Sequence, residues 1–90
     1  MSKYDLSHIM KILQKISPRF RNTLRLEDEL YADCGLDSRE FIYVIREIEL
    51  ELKHDIDDED LLEAKLISIE DLINFVNRLS SKFNNEPTHE

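Results

Sequence analysis

The chain has 90 residues, 41% of them hydrophobic and 36% charged, with a formal net charge of −8 at pH 7. A chain this short folds as one domain with a modest core, and its hydrophobic content is too high for a disordered protein. The negative charge would repel nucleic-acid backbones and anionic lipid surfaces, so nucleic acid is not expected as a partner.

The charge is distributed unevenly along the chain. Residues 1–26 carry six basic side chains and one acidic side chain, whereas residues 47–63 carry nine acidic side chains and one basic. The second segment predicts a concentrated acidic surface, which would suit partner enzymes with basic docking patches.

Neither export nor membrane insertion is predicted. No apolar run resembles a signal peptide, and none approaches the roughly 20 residues of a membrane span. The one cysteine, Cys34, has no partner for an internal disulfide. A cytoplasmic monomer is therefore expected.

The first helix is predicted over residues 4–16, where apolar residues recur at helical spacing. Ser2 and Asp5 form a pattern that would cap its first turn. Pro18 disfavours helical geometry at Ser17, so the helix is expected to end there. Its apolar positions are Leu6, Ile9, Met10, Leu13 and Ile16.

The apolar residues of segment 19–36 show no regular spacing. The segment is expected to form a long ordered connection that packs its leucines onto the core and closes on Gly35, the only glycine of the chain. The apolar residues of this connection are Leu24, Leu26, Leu30, Tyr31 and Leu36.

The second helix has the clearest start. With Asp37 as the N-cap, Glu40 completes a capping box, Leu36 and Phe41 form a hydrophobic staple, and Ser38 becomes the first helical residue. Four apolar residues then lie on one narrow stripe that must face the core: Phe41, Ile45, Ile48 and Leu52.

An acidic turn over residues 55–60 leads into a short helical stretch that contains Leu61 and Leu62. The last helix begins with a second capping box, formed by Ser68 and Asp71. Ile67 and Leu72 are expected to form its hydrophobic staple, and its predicted buried face consists of Ile69, Leu72, Ile73, Val76 and Leu79. Together the elements predict an all-α bundle of three longer helices and one short helix, a single domain over residues 1–83 followed by a disordered tail over residues 84–90.

Residues 33–38 read Asp-Cys-Gly-Leu-Asp-Ser and precede an amphipathic, acid-rich helix. This segment resembles the attachment site of the acyl carrier protein family, whose pattern is Asp-Leu-Gly-x-Asp-Ser-Leu, and the resemblance extends from about residue 30 to residue 76. It implies a carrier-protein four-helix bundle and a chain that is a substrate of partner enzymes rather than an enzyme. In that family the serine receives 4′-phosphopantetheine from coenzyme A through a phosphopantetheinyl transferase, and the thiol of the arm carries acyl groups as thioesters.

The resemblance assigns the cofactor to four neighbouring residues. Ser38 would bear the arm, Asp37 would help the transferase and its magnesium engage, and Gly35 and Leu36 would form the turn that exposes the serine. A phosphodiester on Ser38 would lie at a helix N-terminus, where free N–H groups and the helix dipole favour an anion. The alternative is that Asp37 and Ser38 are an ordinary cap and an exposed first-turn residue.

Two arginines depart from the family pattern. The family usually has apolar residues directly after the serine and eight positions after it, where this chain has Arg39 and Arg46. We hypothesise a docking face for a dedicated partner on the side of the helix opposite the core, formed by Arg39, Ile42, Tyr43, Arg46 and Leu50. The alternatives are an ordinary helix surface and, for the whole chain, a structural or regulatory adaptor with no cargo.

No metal site is expected. The acidic run that starts at Asp55 has Asp60 where a calcium loop requires glycine and Leu66 where it requires glutamate. The three histidines are too scattered to supply a ligand set. Cys34 is expected to be a buried small hydrophobic residue rather than a nucleophile. The cargo and pathway stay open, with fatty acyl, polyketide, amino acid and specialised lipid pathways all possible.

Overall fold

The computed structural model describes residues 4–17 and 23–84, without the side chains of residues 83 and 84. These residues form four helices: α1 (Leu6–Ile16), α2 (Ser38–Leu52), α3 (Asp58–Ala64) and α4 (Ile69–Asn84). The predicted all-α fold of three longer helices and one short helix is confirmed.

Within the described ranges no helix has the length and apolar character needed to cross a membrane. Of the predicted tail, residue 84 is the last residue of α4, and residues 85–90 lie outside the described residues.

The first helix begins later than its apolar pattern suggests. Asp5 is the N-cap, because its carboxylate accepts a hydrogen bond from the backbone N–H of His8 at 3.0 Å. The helix ends before Ser17, as predicted. Ser2 and Pro18, the other residues used to predict its ends, lie outside the described residues.

The core lies between α1, α2 and α4, and α1 packs on both of the other long helices. All five residues predicted for the buried face of α4 are buried, and so are Ile45 and Ile48 of α2. Phe41 and Leu52 are half-buried against the same core. The core also includes Val44 and two other residues absent from the predicted faces, Tyr4 and Phe75.

The connection before α2 is held by backbone hydrogen bonds to the start of α4. The N–H of Leu30 donates to the carbonyl of Ile67, and the N–H of Ile69 donates to the carbonyl of Asp28, both at 2.8 Å. The leucines that this segment packs into the core are Leu24, Leu30 and Leu36. Leu26 is exposed instead, so the prediction that every leucine of the connection is buried was wrong for this residue.

The capping box at the start of α4 is confirmed. The hydroxyl of Ser68 accepts from the N–H of Asp71, and the Asp71 carboxylate accepts from the N–H of Ser68, both at 3.1 Å. Hydrogen bonds to the carboxylate, from the backbone N–H of Ser68 foremost and also from that of Ile67, lower the pKa of Asp71. Leu72 is buried and Ile67 is 57% exposed. Their contact as a hydrophobic staple stays a prediction.

Candidate functional site

A sharp turn immediately precedes α2. Gly35 has a φ of +75°, in the left-handed region that glycine adopts most readily. A Cβ atom at this position would meet no atom within 4 Å, so backbone conformation rather than space favours glycine. The N–H of Cys34 donates to the carbonyl of Glu29 at 2.9 Å and stabilises the turn. As a result Leu36 is buried, while the next residues of the chain emerge at the surface.

The capping box predicted for α2 is confirmed. The Asp37 carboxylate accepts from the N–H of Glu40 at 2.7 Å, and the Glu40 carboxylate accepts from the N–H of Asp37 at 3.1 Å. Each side chain satisfies a backbone donor that would otherwise be open at the helix start. The box fixes the position at which α2 begins.

Ser38 is the first residue of α2, and it is exposed. Its backbone N–H and that of Arg39 have no acceptor in the part of the chain that the structure describes. Two N–H donors are thus open beside the Ser38 hydroxyl, at the positive end of the helix dipole. This arrangement fits a phosphate group attached to the hydroxyl.

Residues 8–76 match the family model described as the phosphopantetheine attachment site, which is more than two-thirds of the chain. The chain belongs to the phosphopantetheine-binding family of carrier domains. The domain is therefore an attachment site for covalent 4′-phosphopantetheine and interacts with modifying and acyl-processing enzymes. The searches of curated proteins and of solved structures gave no match.

The carrier domain exposes all five residues of the hypothesised docking face. Ile42 is 55% exposed, Tyr43 48% and Leu50 72%, and both Arg39 and Arg46 are at the surface. Exposed apolar side chains on one helix face are available for contact with another protein. Their role in docking stays a prediction.

Two acidic side chains of α2 join this helix to α1, a role that the sequence analysis missed. Lys15 Nζ donates to Glu47 Oε1 at 3.0 Å, and His8 Nε2 lies 2.6 Å from Glu51 Oε1. The spacing of four residues between Glu47 and Glu51 could have suggested that they share one helix face, but not which neighbour that face meets.

The other two carboxylates of α2 also have partners within the chain. Glu40 accepts in the capping box, and Glu49 Oε2 accepts from the backbone N–H of Ile56 at 2.8 Å. The acidic surface predicted over residues 47–63 is consequently concentrated in residues 55–63, after α2 has ended.

An apolar groove lies beside the start of α2. Its volume is about 440 Å³, within the usual range for small-molecule sites. The Tyr31 and Phe41 rings stand 6.0 Å apart on one side, and Phe41 follows Ser38 by about one helical turn. The lining residues are Tyr31, Phe41, Asp58, Leu61, Leu62 and Leu66.

Cys34 is half-buried against the core rather than fully buried. Burial first, and then the nearby carboxylates of Asp28 and Asp33, together raise the pKa of its thiol to about 11. A thiol in this environment stays protonated near neutral pH and is a poor nucleophile. In residues 4–17 and 23–84, no three His, Cys, Asp or Glu side chains are grouped so as to hold a metal ion.

Cys34 is expected to react slowly with iodoacetamide at pH 8. A pKa two units above the ordinary value lowers the thiolate fraction, and with it the alkylation rate, by about a hundredfold. The rate can be followed by intact mass in buffer and again in urea, where unfolding should restore the reactivity of an ordinary cysteine. Equal rates in the two solvents would contradict the assigned environment.

Proposed function

We propose that Ser38 bears the 4′-phosphopantetheine arm and that the chain is an acyl carrier protein. The arm's thiol would carry acyl intermediates as thioesters between the enzymes of a fatty acid, polyketide or specialised lipid pathway. The protein is proposed to act as a cytoplasmic monomer and as a substrate of those enzymes, not as a catalyst. The proposal rests on the environment of the serines in the matched region.

Three serines lie in the matched region, and they differ in accessibility. Ser17 is buried, and the hydroxyl of Ser68 is engaged in the capping box of α4. Ser38 is exposed and has two open backbone N–H groups beside it. A transferase can reach this hydroxyl without disturbing the fold, and the N–H groups would stabilise the phosphodiester once it is attached.

The acidic surface that follows α2 supports partner enzymes with basic docking patches. Residues 55–63 contain the carboxylates of Asp55, Asp57, Asp58, Glu59, Asp60 and Glu63, for which no ion pair occurs among the described residues. We propose that the phosphopantetheinyl transferase and the acyl-loading enzymes approach this segment with basic patches.

The proposal is tested by the intact mass of the purified chain before and after incubation with coenzyme A, magnesium and a broad-specificity phosphopantetheinyl transferase. The expected result is a gain of one phosphopantetheine unit, which fragmentation assigns to the peptide that contains Ser38. No gain on folded protein with several transferases would favour the adaptor. Arg39 is the observation that supports this second candidate, because a guanidinium stands where the family usually presents an apolar contact.

Substitution of Asp37 separates its capping role from its role in loading. Asp37→Asn is expected to leave the free energy of unfolding nearly unchanged, because Asn and Asp are similar N-caps. Loss of the carboxylate should slow loading about tenfold, which corresponds to roughly 1.4 kcal/mol of transition-state stabilisation. Asp37→Ala should show the same loading defect and also lose about 1 kcal/mol of stability.

These effects are measured by initial loading rates from mass spectra and by urea unfolding. Loading of Asp37→Asn at the rate of the unsubstituted chain would mean that Asp37 acts only as a helix cap.

We further propose that the apolar groove receives part of the acyl chain. Protein loaded from octanoyl-coenzyme A is expected to unfold about 4–8 °C higher than protein loaded from coenzyme A. Burial of part of the octanoyl chain should stabilise the fold by about 1 kcal/mol, and a stabilisation of this size shifts the unfolding midpoint of a small domain by that amount. Leu62 lines the groove and is largely exposed, so Leu62→Asp should remove the difference without disrupting the core. Leu26→Asp is the matched control at an exposed leucine outside the groove. No difference between the two loaded forms would place the cargo in solvent.

A further inference from the structure

The charged side chains of α2 fall into two groups. All four carboxylates have partners within the chain, two on α1 and two on backbone N–H groups. The basic side chains Arg39 and Arg46, and Lys53 at the C-cap, are exposed. None of these three has a salt bridge among the described residues. The exposed charged side chains of α2 and its C-cap that have no salt bridge among the described residues are therefore the basic ones, although the helix is acidic by composition.

These basic residues share one face with the exposed apolar side chains of the helix. At the α-helical spacing the whole set lies within about 100° of the helix circumference. We call this set the basic face: Arg39, Ile42, Tyr43, Arg46, Leu50 and Lys53. It starts directly beside Ser38 and runs the length of α2.

The basic face has a concave end. An open groove of about 850 Å³ lies at the C-terminal end of α2. Its lining includes Arg46, Leu50 and Lys53 of the basic face, together with Glu49, His54 and Asp55. Arg46 and Lys53 are two cations of this groove, and the carboxylate of Glu49 is held by the Ile56 N–H. An acidic side chain of the partner would contact Arg46 and Lys53 on the side of the groove away from Asp55.

We propose that the basic face docks on a protein whose apolar patch is bordered by Asp and Glu side chains. Arg and Tyr are enriched among the residues that dominate binding energy, and Ile42, Tyr43 and Leu50 supply apolar area between the basic side chains along the helix. The inference rests on the proposed function only in that the partner would act on the arm of Ser38. The partner surface that contacts the basic face would be acidic, whereas the patches proposed to approach residues 55–63 are basic.

A protein fits this face better than a membrane does. The acidic residues 55–60 follow α2 directly, and the chain carries a net charge of −8. A bilayer is an extended surface and would approach both regions at once, so the carboxylates would oppose binding to anionic lipid. A protein patch can contact α2 alone, because charges farther than about 8–10 Å away are screened at physiological salt.

The test uses two synthetic amphipathic helical peptides with the same leucine stripe, one bordered by glutamates and the other by lysines. Each is titrated into isotope-labelled chain and followed by amide chemical shifts. The glutamate peptide is expected to shift the amides of the basic face and to bind more weakly as salt is raised. The lysine peptide is expected to leave these amides unchanged, with any shifts confined to residues 55–63.

Charge reversal supplies the matched control. The double variant Arg39→Glu with Arg46→Glu should weaken binding of the glutamate peptide at least about tenfold. Lys11→Glu with Lys82→Glu changes the net charge equally at exposed sites on α1 and α4, and it should change binding less than about twofold.

Three results would overturn the proposal. These are equal binding of the lysine peptide to the basic face, unaltered binding after reversal of Arg39 and Arg46, and binding of phosphatidylglycerol vesicles through this face in place of the peptide. The titration is repeated on Ser38→Ala, which cannot receive the arm. Failure of Ser38 loading would thus contradict the proposed function and leave the docking result intact.

Discussion

Replacing Ser38 with alanine is expected to abolish the gain of a phosphopantetheine unit. The Ser38 hydroxyl oxygen is the atom that would form the new bond to phosphorus, and alanine has no oxygen to replace it. Ser17 is buried and Ser68 is engaged in a capping box, so neither serine is expected to accept the group in its place. Intact mass after a long incubation with transferase and coenzyme A measures the effect.

The control for this variant is Ser7→Ala, which removes an exposed hydroxyl from the first turn of α1. It should be loaded as fast as the unsubstituted chain. Ser38 makes no side-chain hydrogen bond among the described residues and alanine favours helix, so Ser38→Ala should unfold at the same temperature or slightly higher. A mass gain that persists in folded Ser38→Ala would show that another residue is the attachment site.

Replacing Ile48 with alanine is expected to cost about 2–5 kcal/mol of stability. Ile48 is 0% exposed and lies in the core between the three long helices. Since small domains are stable by only about 5–15 kcal/mol, the loss should lower the unfolding midpoint by at least about 8 °C. Urea and thermal unfolding followed by circular dichroism measure it.

Ile42→Ala is the matched control, because it makes the same substitution in the same helix at a side chain that is 55% exposed. Its free energy of unfolding should change by less than about 0.5 kcal/mol. Similar losses at the two positions would mean that α2 does not present Ile48 to the core and Ile42 to solvent. That result would also remove the basis of the basic face.

The helix starts were the most predictable features of the fold. Both capping boxes involve residues three positions apart, so they depend on local geometry that the sequence specifies. The buried stripe of α2 was likewise predictable from its spacing, because a helix repeats every 3.6 residues. Ser38 could be placed at the first position of α2 for the same reason.

The width of the buried faces could not be predicted in this way. Val44 lies beside the stripe of α2 and is fully buried because α2 packs against both α1 and α4. Leu26 and Ile67 are apolar but exposed, because the hydrogen bonds between the connection and the start of α4 fix their backbones at the surface. Such outcomes depend on which segments meet, and periodicity carries no information about the neighbouring segment.

The order of the helices, the serine after a glycine turn and the family of the chain could be read from the sequence, because they depend on patterns along the chain. The partners of the charged side chains depend instead on how the helices pack. Glu47 and Glu51 are surface carboxylates by composition, but the packing of α1 on α2 brings Lys15 and His8 to them. Contacts between helices require two distant segments to be adjacent, so the charged side chains of α2 that have partners could not be identified from periodicity alone.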